Sequence, residues 1–389
     1  MLKAIDRYAR LSDKEWVEAL TAPDADRRLH QPGHAQMPQD NMGFPQGMMV
    51  QPGMGFKQGM YPNPKMIPLP GFVPNPKYEK MKGSTYSPEA DAEALYGAMK
   101  GIGTNEKTII QILCHRTLAQ RLLIKDAFEK KYNKDLIKEL KSELSGKFED
   151  AVIASFRTTT ELDCKALYDA MHGLGTDEET LVEILCTRSN YQIQLDIQEF
   201  PKLYKKDLIK FVESETSGVF RKVLKGFLNC TRSENPRPDP GFCQQETERL
   251  YRAGEGKLGT DEAVFINIIT ERSPSELALI AELYQKNYNH SIYKAIDKEF
   301  SGETKKLLNQ IVMAIISPSE YFAERIYKSM KGIGTKDAML IRCLVSRDEI
   351  DMPQIKNYYR TMYKKEMIDA IKSDTSGNYE KFLVELCQD

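Results

Sequence analysis

From residue 87 onward, apolar residues recur at spacings of three and four, the pattern of one face of an α-helix. Ile109, Ile110 and Leu113 form one such face. The strict alternation of apolar and polar residues that marks a half-buried strand is absent. In the first stretch, the pattern predicts five helices, over residues 91–99, 105–115, 118–132, 134–144 and 148–156. We therefore expect an all-α fold.

The helical pattern returns with a period near 75 residues, which predicts a repeat architecture with about five helices in each unit. Each unit carries a glycine turn: GIGTNE at 101–106, GLGTDE at 173–178, GKLGTDE at 256–262 and GIGTKD at 332–337. We predict repeats over residues 86–158, 159–230, 242–317 and 318–389. A proline-rich linker over residues 231–241 separates the second repeat from the third.

Residues 1–85 differ in composition and form a predicted N-terminal tail. A weak amphipathic pattern over residues 2–20 indicates a short helix. Residues 32–76 are rich in Pro, Gly, Met and Gln, so this segment cannot bury enough apolar surface to offset its ordering entropy. We expect it to be disordered, either as a simple spacer or as an interaction segment.

Composition excludes several classes of protein. A formal net charge of −1 gives no basic footprint for nucleic acid and no polybasic membrane patch. No apolar run reaches the roughly 18 residues of a membrane span, and the charged N-terminus lacks the apolar core of a signal peptide. Seven scattered cysteines without a CxxC pair indicate reduced thiols in a cytosolic protein. Cys230 and Cys243 flank the linker, and a disulfide between them is an open alternative.

Catalytic chemistry finds little support in the sequence. The five histidines show no metal-ligand spacing, and no Ser/His/Asp or Cys/His cluster can be assembled. A dinucleotide site is excluded because the turn lacks its third glycine and follows no strand. The alternating ligands of an EF-hand are also absent. We expect no enzyme.

Two further positions recur in every unit. The threonine of each turn lies where a helix N-cap is expected, and Thr176 with Glu179 fits a capping box. The four threonines are Thr104, Thr176, Thr260 and Thr335. An arginine follows the last glycine of each turn by 13 residues, and we expect it to bind C-terminal carbonyls or internal carboxylates. These arginines are Arg116, Arg188, Arg272 and Arg347.

A lone carboxylate follows the last glycine of each turn by 40 residues, as Glu143, Glu215, Glu299 and Asp374. A single glycine turn is most often a plain helix connector, but four turns with a carboxylate at one distance favour a cation site. Ca²⁺ takes six to eight oxygen ligands, and backbone carbonyls of a glycine turn serve as well as carboxylates. With one formal charge per site, binding should be weak, about 10⁻⁴ to 10⁻³ M, and should tighten when a lipid phosphate completes the shell.

The turns MKGIGT, MHGLGT and MKGIGT, each with its acidic residue near +40, resemble the type II calcium site of the annexin family. The resemblance covers residues 85–389 and is specific because four copies match. It implies a slightly curved all-α disc of four five-helix repeats with the calcium loops on the convex face. It also implies calcium-dependent, reversible binding to acidic phospholipid membranes of the phosphatidylserine type.

The same resemblance implies a ligand set for each repeat. The carbonyl ligands would come from Met99, Gly101, Gly103, Met171, Gly173, Gly175, Met330, Gly332 and Gly334. The third turn has one extra residue and Lys257 at the first glycine position, so its candidates are Gly254, Lys257 and Gly259. The carboxylate ligand of each site, called its cap from here on and distinct from a helix N-cap, would come from Glu143, Glu215, Glu299 and Asp374. The apolar residues between the glycines are candidates for contact with lipid or ordinary exposed residues: Ile102, Leu174, Leu258 and Ile333.

A scaffold function is the alternative hypothesis. The tail resembles the extended tails of annexins that bind EF-hand partners through an amphipathic N-terminal helix, although Arg7, Arg10 and Lys14 share that surface. In this interpretation the core tethers the protein to a membrane and the tail recruits a partner or aggregates vesicles. Under either hypothesis we expect a cytoplasmic protein that joins membranes peripherally when calcium rises, with unconventional export left open.

Overall fold

The computed structural model describes residues 86–101 and 103–388, and every regular element among them is an α-helix. The prediction of an all-α fold is confirmed. The predicted tail, with its helix over residues 2–20, falls outside the described residues, as does Ile102. Among the helices that are described, none combines the length and the apolar character needed to cross a bilayer.

The described helices fall into four groups of five, as the repeat period predicts. The first group comprises α1 Pro88–Met99, α2 Glu106–Leu113, α3 Leu118–Tyr132, α4 Leu136–Glu143 and α5 Gly146–Ala154. The second comprises α6 Thr159–Met171, α7 Glu178–Thr187, α8 Asn190–Tyr204, α9 Leu208–Glu215 and α10 Gly218–Leu228. The third comprises α11 Pro240–Ala253, α12 Glu262–Glu271, α13 Pro274–Tyr288, α14 Ile292–Glu299 and α15 Gly302–Ile316. The fourth comprises α16 Pro318–Met330, α17 Asp337–Arg347, α18 Met352–Tyr363, α19 Met367–Asp374 and α20 Gly377–Leu386.

Local sequence fixes where the third helix of a repeat begins and ends. In the first three repeats it begins at a capping box, in which a Ser or Thr hydroxyl and a Gln or Glu side chain satisfy each other's backbone N–H groups. These pairs are Thr117 with Gln120, Ser189 with Gln192 and Ser273 with Glu276. In all four repeats it ends at a residue in the left-handed region, which stops the helix. These residues are Asn133, Lys205, Asn289 and Lys364.

The repeats pack in two pairs. Helix α5 of the first repeat contacts α17 and α20 of the fourth, while α7 and α10 of the second contact α12 and α15 of the third. Large side chains at one shared position of the third helix fill the interiors, and each is at most 2% exposed. They are Phe128, Phe200, Tyr284 and Tyr359. Burying such large side chains helps to stabilise the interior of each repeat.

A polar cluster joins the second repeat to the fourth. Glu183 of α7 is fully buried, and Arg342 of α17 donates to its two carboxylate oxygens at 2.7 and 2.8 Å. Arg325 of α16 donates to the same carboxylate at 3.1 Å. Burial alone would raise the pKa of Glu183, but Arg342 and Arg325 hold that pKa at about 2. This contact therefore depends on paired charges, unlike the apolar interiors of the repeats.

The repeated arginines bind internal carboxylates, as predicted. In the first three repeats the partner lies on the first helix of the same repeat, at 2.6 to 2.8 Å, in the pairs Arg116–Asp91, Arg188–Asp163 and Arg272–Glu246. In the fourth repeat the position 25 residues before Arg347 is Phe322. Arg347 instead pairs with Asp351 at 2.7 Å and stacks on the Phe322 ring at 4.5 Å.

A disulfide between Cys230 and Cys243 is not formed. Both side chains are thiols, with Cys243 fully buried in α11 and Cys230 half-buried beyond the end of α10. Burial raises the pKa of the Cys243 thiol to about 11 and also raises that of Cys230, so both stay protonated near neutral pH. The alternative of a disulfide across the linker is wrong.

Candidate functional site

One backbone hydrogen bond closes the glycine turn in each repeat. The N–H of Asn105, Asp177, Asp261 or Lys336 donates to a carbonyl near the end of the first helix, at 2.7 to 2.8 Å. These residues are the N-caps of the second helices, so the N-cap predicted at the preceding threonine is wrong. The capping box predicted for Thr176 and Glu179 is wrong as well, because Asp177 caps α7 by accepting from Thr180 N–H at 3.1 Å.

The turn threonine instead bridges the two loops of the candidate site. Thr104 Oγ1 donates to Glu143 Oε2 at 2.8 Å, Thr260 Oγ1 to Glu299 Oε2 at 2.5 Å and Thr335 Oγ1 to Asp374 Oδ2 at 2.6 Å. Each hydroxyl thus connects the turn after the first helix to the carboxylate that ends the fourth. The structure brings together residues 39 positions apart, as the constant spacing predicts. Sequence reasoning missed the role of the hydroxyl.

The second repeat departs from this arrangement. Thr176 Oγ1 donates to the backbone carbonyl of Glu215 at 3.1 Å, and the Glu215 carboxylate receives the hydroxyl of Ser214 at 3.4 Å. The two loops are still joined, but the carboxylate is not held by the threonine. The second site therefore differs from the other three in how its cap is oriented.

Backbone conformation explains the glycines of the three regular turns. Gly101, Gly173 and Gly332 have φ of 113°, 121° and 113°, values that residues with a Cβ rarely adopt. In the second and fourth turns, no described residue donates a hydrogen bond to the candidate carbonyls of Met171, Gly173, Gly175, Met330, Gly332 and Gly334. Those oxygens therefore remain available to an external ligand.

The third turn has a different backbone conformation from the three regular turns. Its extra residue removes the need for a left-handed backbone at the first glycine position, so Lys257 is tolerated, while Gly259 keeps φ at 80°. A Cβ added to Gly254 would lie 2.8 Å from the carboxyl carbon of Glu299, so a larger residue here would displace that carboxyl group from its present position. The Gly254 carbonyl accepts Lys257 N–H at 2.9 Å, and a cation would share that oxygen.

The apolar residues at the turn tips are fully exposed. Leu174, Leu258 and Ile333 are the three most exposed large apolar side chains among the described residues, at 108%, 104% and 109% of their reference areas. A single exposed leucine needs no explanation, but three in equivalent positions beside the candidate cation sites form a repeated feature.

A stacked tyrosine pair lies beneath each turn and was missed by the sequence analysis. The ring centroids are 3.9, 4.1, 4.0 and 3.7 Å apart in the pairs Tyr96–Tyr132, Tyr168–Tyr204, Tyr251–Tyr288 and Tyr327–Tyr363. Lys100 and Lys331 lie over the first and last pairs, and His172 stacks on Tyr168 at 4.7 Å. A signal was present, because a tyrosine follows the last glycine of every turn by 29 residues.

The donor set suits a weakly bound hard cation. Among the described residues, no group of three or more His, Cys, Asp or Glu side chains could hold a metal ion. Each candidate site combines one carboxylate with carbonyl oxygens, and oxygen ligands of this kind fit Ca²⁺ better than softer metals. A low charge count corresponds to weak binding by the protein alone.

Comparison with known proteins finds one family. The family model described as Annexin matches residues 90–154, 162–226, 245–311 and 321–386. Annexin A6 of Rattus norvegicus is 43% identical over 302 residues, which is 78% of this chain and 45% of that protein. The chain thus spans about half the length of that relative.

Solved structures agree with this match. The structure of annexin III superposes with a TM-score of 0.74 at 40% identity, covering 78% of this chain and 94% of that chain. The structure described as calcium-bound annexin (Sm)1 superposes with a TM-score of 0.72 at 32% identity, covering 78% and 90%.

Proposed function

The chain belongs to the annexin family, known for calcium-dependent phospholipid binding, and from this premise we propose that it binds acidic phospholipid membranes reversibly through four calcium sites. The observation that carries the proposal is the threonine bridge, which places a lone carboxylate at the glycine turn in three repeats. The match to a calcium-bound annexin structure supports calcium as the ion.

In this proposal the turn supplies carbonyl oxygens and the cap supplies a carboxylate. The regular sites would use the carbonyls of Met99, Gly101, Gly103, Met171, Gly173, Gly175, Met330, Gly332 and Gly334, and the third site those of Gly254, Lys257 and Gly259. Glu143, Glu215, Glu299 and Asp374 would complete them. Bound calcium would bridge the protein to a lipid phosphate, which is why membrane and ion should bind together.

The turn tips extend the proposal to the lipid interface. Leu174, Leu258 and Ile333 are exposed where they would meet the membrane, and Ile102 holds the same sequence position. Burying such a side chain fully contributes about 1.5–3 kcal/mol. We expect these residues to strengthen membrane binding once calcium has positioned the loops, and we expect the protein to be cytoplasmic otherwise.

Co-sedimentation tests the proposal directly. In the presence of calcium, the full chain is expected to pellet with phosphatidylserine vesicles but not with phosphatidylcholine vesicles. It is expected to return to the supernatant when a chelator is added. Calcium neutralises the repulsion between acidic headgroups and the cap carboxylates, so both partners are needed. Pelleting that persists in the chelator would contradict a calcium-dependent mechanism.

Removing three threonine hydroxyls should raise the calcium requirement. In a Thr104→Val, Thr260→Val and Thr335→Val variant, three caps lose the donor that orients them, and hydrogen bonds to charged groups contribute about 1.5–3 kcal/mol each. We expect half-maximal pelleting to need roughly tenfold more calcium. Calcium titration of vesicle binding measures the shift.

Two single variants serve as controls. Thr176→Val removes a hydroxyl that contacts only the backbone carbonyl of Glu215 and should shift the titration less. Thr361→Val removes an exposed hydroxyl bonded to the carbonyl of Asn357 in α18 and should not shift it. A triple variant that titrates like Thr361→Val would show that the bridge has no part in cation binding.

A further inference from the structure

The third turn contains a residue that the other repeats lack. The N–H that closes the third turn belongs to Asp261, eight residues after its acceptor Ala253. In the first repeat the corresponding residue, Asn105, follows its acceptor Ala98 by seven. Glu255 lies in this longer stretch, directly after Gly254. Its side chain is only 10% exposed, although it belongs to a surface loop.

Three side chains from two other helical regions converge on the Glu255 carboxylate. The hydroxyl of Tyr284, in α13, donates to Oε2 at 2.7 Å. The Nε2 atom of His290, between α13 and α14, lies 3.1 Å from the same oxygen. The ammonium of Lys298, in α14, binds Oε1. Burial raises the pKa of Glu255, but the bonds from Lys298 and Tyr284 outweigh burial and hold that pKa below its usual range.

The other three repeats provide an internal comparison. At the position of Tyr284 they have Phe128, Phe200 and Tyr359, and at that of His290 they have Lys134, Lys206 and Lys365. At the position of Lys298 they have Ser142, Ser214 and Ser373. The full set of three partners therefore occurs only in the repeat that contains the extra glutamate. A surface insertion without a role would not need this set of partners.

One partner of Glu255 is adjacent in sequence to the cap carboxylate of the third site. Lys298 immediately precedes Glu299, whose carboxyl group packs against Gly254 and accepts the hydroxyl of Thr260. An ammonium at this position would compete with a cation for Glu299 if it were not already paired. Glu255 both ties the turn to α13 and α14 and keeps Lys298 paired away from the cap.

We propose that Glu255 is a positioning residue that holds the turn and the cap of the third repeat in register for calcium and neutralises Lys298 beside Glu299. This inference rests on the proposed calcium-binding function. It assigns the third repeat a different means of preorganisation from that of the regular turns. In the regular turns two left-handed glycines shape the loop, whereas the third turn has only Gly259 in that region and an ion-paired tether takes the place of the other.

The test uses a full chain in which only the third cap is intact, with Glu143→Gln, Glu215→Gln and Asp374→Asn. Calcium binding is followed by isothermal titration calorimetry in the presence of phosphatidylserine vesicles. Adding Glu255→Gln is expected to weaken calcium binding by about tenfold or more, since it removes charge-assisted bonds and releases Lys298. Adding Lys298→Ser to that variant is expected to restore part of the affinity, which a purely structural role of Glu255 would not do.

Matched variants keep the test decisive. Tyr284→Phe places the residue of the first two repeats at this position and is expected to weaken binding by about threefold with little change in Tm. Glu248→Gln alters an exposed carboxylate of α11 and should change nothing. If Glu255→Gln prevents folding, the Tyr284→Phe variant decides the question by itself.

The outcomes separate this inference from the function on which it rests. If the chain with only the third cap binds no calcium, the proposed site in that repeat is wrong, and the role of Glu255 falls with it. If that chain binds calcium and the Glu255→Gln and Tyr284→Phe variants bind it equally well, only the positioning role is overturned.

Discussion

Replacing all four cap carboxylates by amides, as Glu143→Gln, Glu215→Gln, Glu299→Gln and Asp374→Asn, is expected to abolish calcium-dependent pelleting with phosphatidylserine vesicles. Each candidate site has one formal negative charge, and the amide keeps the shape of the side chain while removing that charge. The remaining carbonyl oxygens do not attract a divalent ion strongly enough to strip its water. We expect no pelleting at calcium concentrations up to about 1 mM, the upper end for sites of low charge.

The control for this variant removes the same charge elsewhere. One exposed carboxylate from each repeat is suitable, because each forms an ion pair with a lysine or arginine of its own repeat: Asp150, Asp169, Glu248 and Glu366. Converting these four to amides changes the net charge equally and should leave pelleting intact. If the cap variant still pelleted, or if both variants failed alike, the caps would not be the calcium ligands.

Replacing Asp196 by isoleucine is expected to stabilise the protein. Asp196 lies in α8, is 0% exposed, and neither of its carboxylate oxygens has a hydrogen-bond partner. The equivalent residues of the other three repeats are isoleucines that are also fully buried: Ile124, Ile280 and Ile355. Burial and the charge of Asp163 raise the pKa of Asp196 to about 9. Removing this buried polar group should increase the free energy of unfolding by about 2–4 kcal/mol at pH 7.

The gain from Asp196→Ile should depend on pH. In the folded protein the carboxyl stays protonated to about pH 9, whereas in the unfolded chain it ionises near pH 4. Ionisation thus favours the unfolded state progressively between these values, and below them the penalty disappears. Thermal unfolding at pH 5 and pH 8 should show a larger difference in Tm between variant and parent at pH 8.

Asp196→Val is the smaller alternative, in case the extra methylene of isoleucine overpacks this site. Two variants that are both less stable than the parent would show that Asp196 has a partner the static structure does not reveal. A stability difference that stays constant between pH 5 and pH 8 would show that the carboxyl does not titrate as described.

The helices and the pairing of each turn with its carboxylate could be predicted because both depend on regular spacing along the sequence. Helical periodicity is local, so five helices per repeat followed from it, although α2 and α4 are each about three residues shorter than predicted. The pairing of each turn with a carboxylate 40 residues later followed from four copies in one register. The arginine partners followed because a buried guanidinium requires a carboxylate or carbonyl.

The N-caps, the threonine bridge and the conformation of Lys257 were missed because they depend on geometry within a turn. The N-cap lies one residue after the predicted threonine because the closing bond to the first helix fixes where α2 and its equivalents begin. That shift of one residue directs the threonine toward the cap. From the sequence, Lys257 is a departure from the glycine that the other turns have at this position. The structure explains it, because the extra residue removes the need for a positive φ there. Asp196 had no signal in its own segment, since a helix pattern does not reveal which polar residues are buried without partners.

The stacked tyrosines give the repeats an optical signal of their own. The chain has one tryptophan, Trp16, so residues 86–389 contain none. Tryptophan emission therefore reports only on the N-terminal segment, while near-ultraviolet circular dichroism of the tyrosine pairs reports on fixed packing directly beneath the turns. Sixteen of the 19 tyrosines lie in residues 86–389, so a single unlabelled sample carries an emission signal from the N-terminal segment and a near-ultraviolet signal that comes mainly from the repeats.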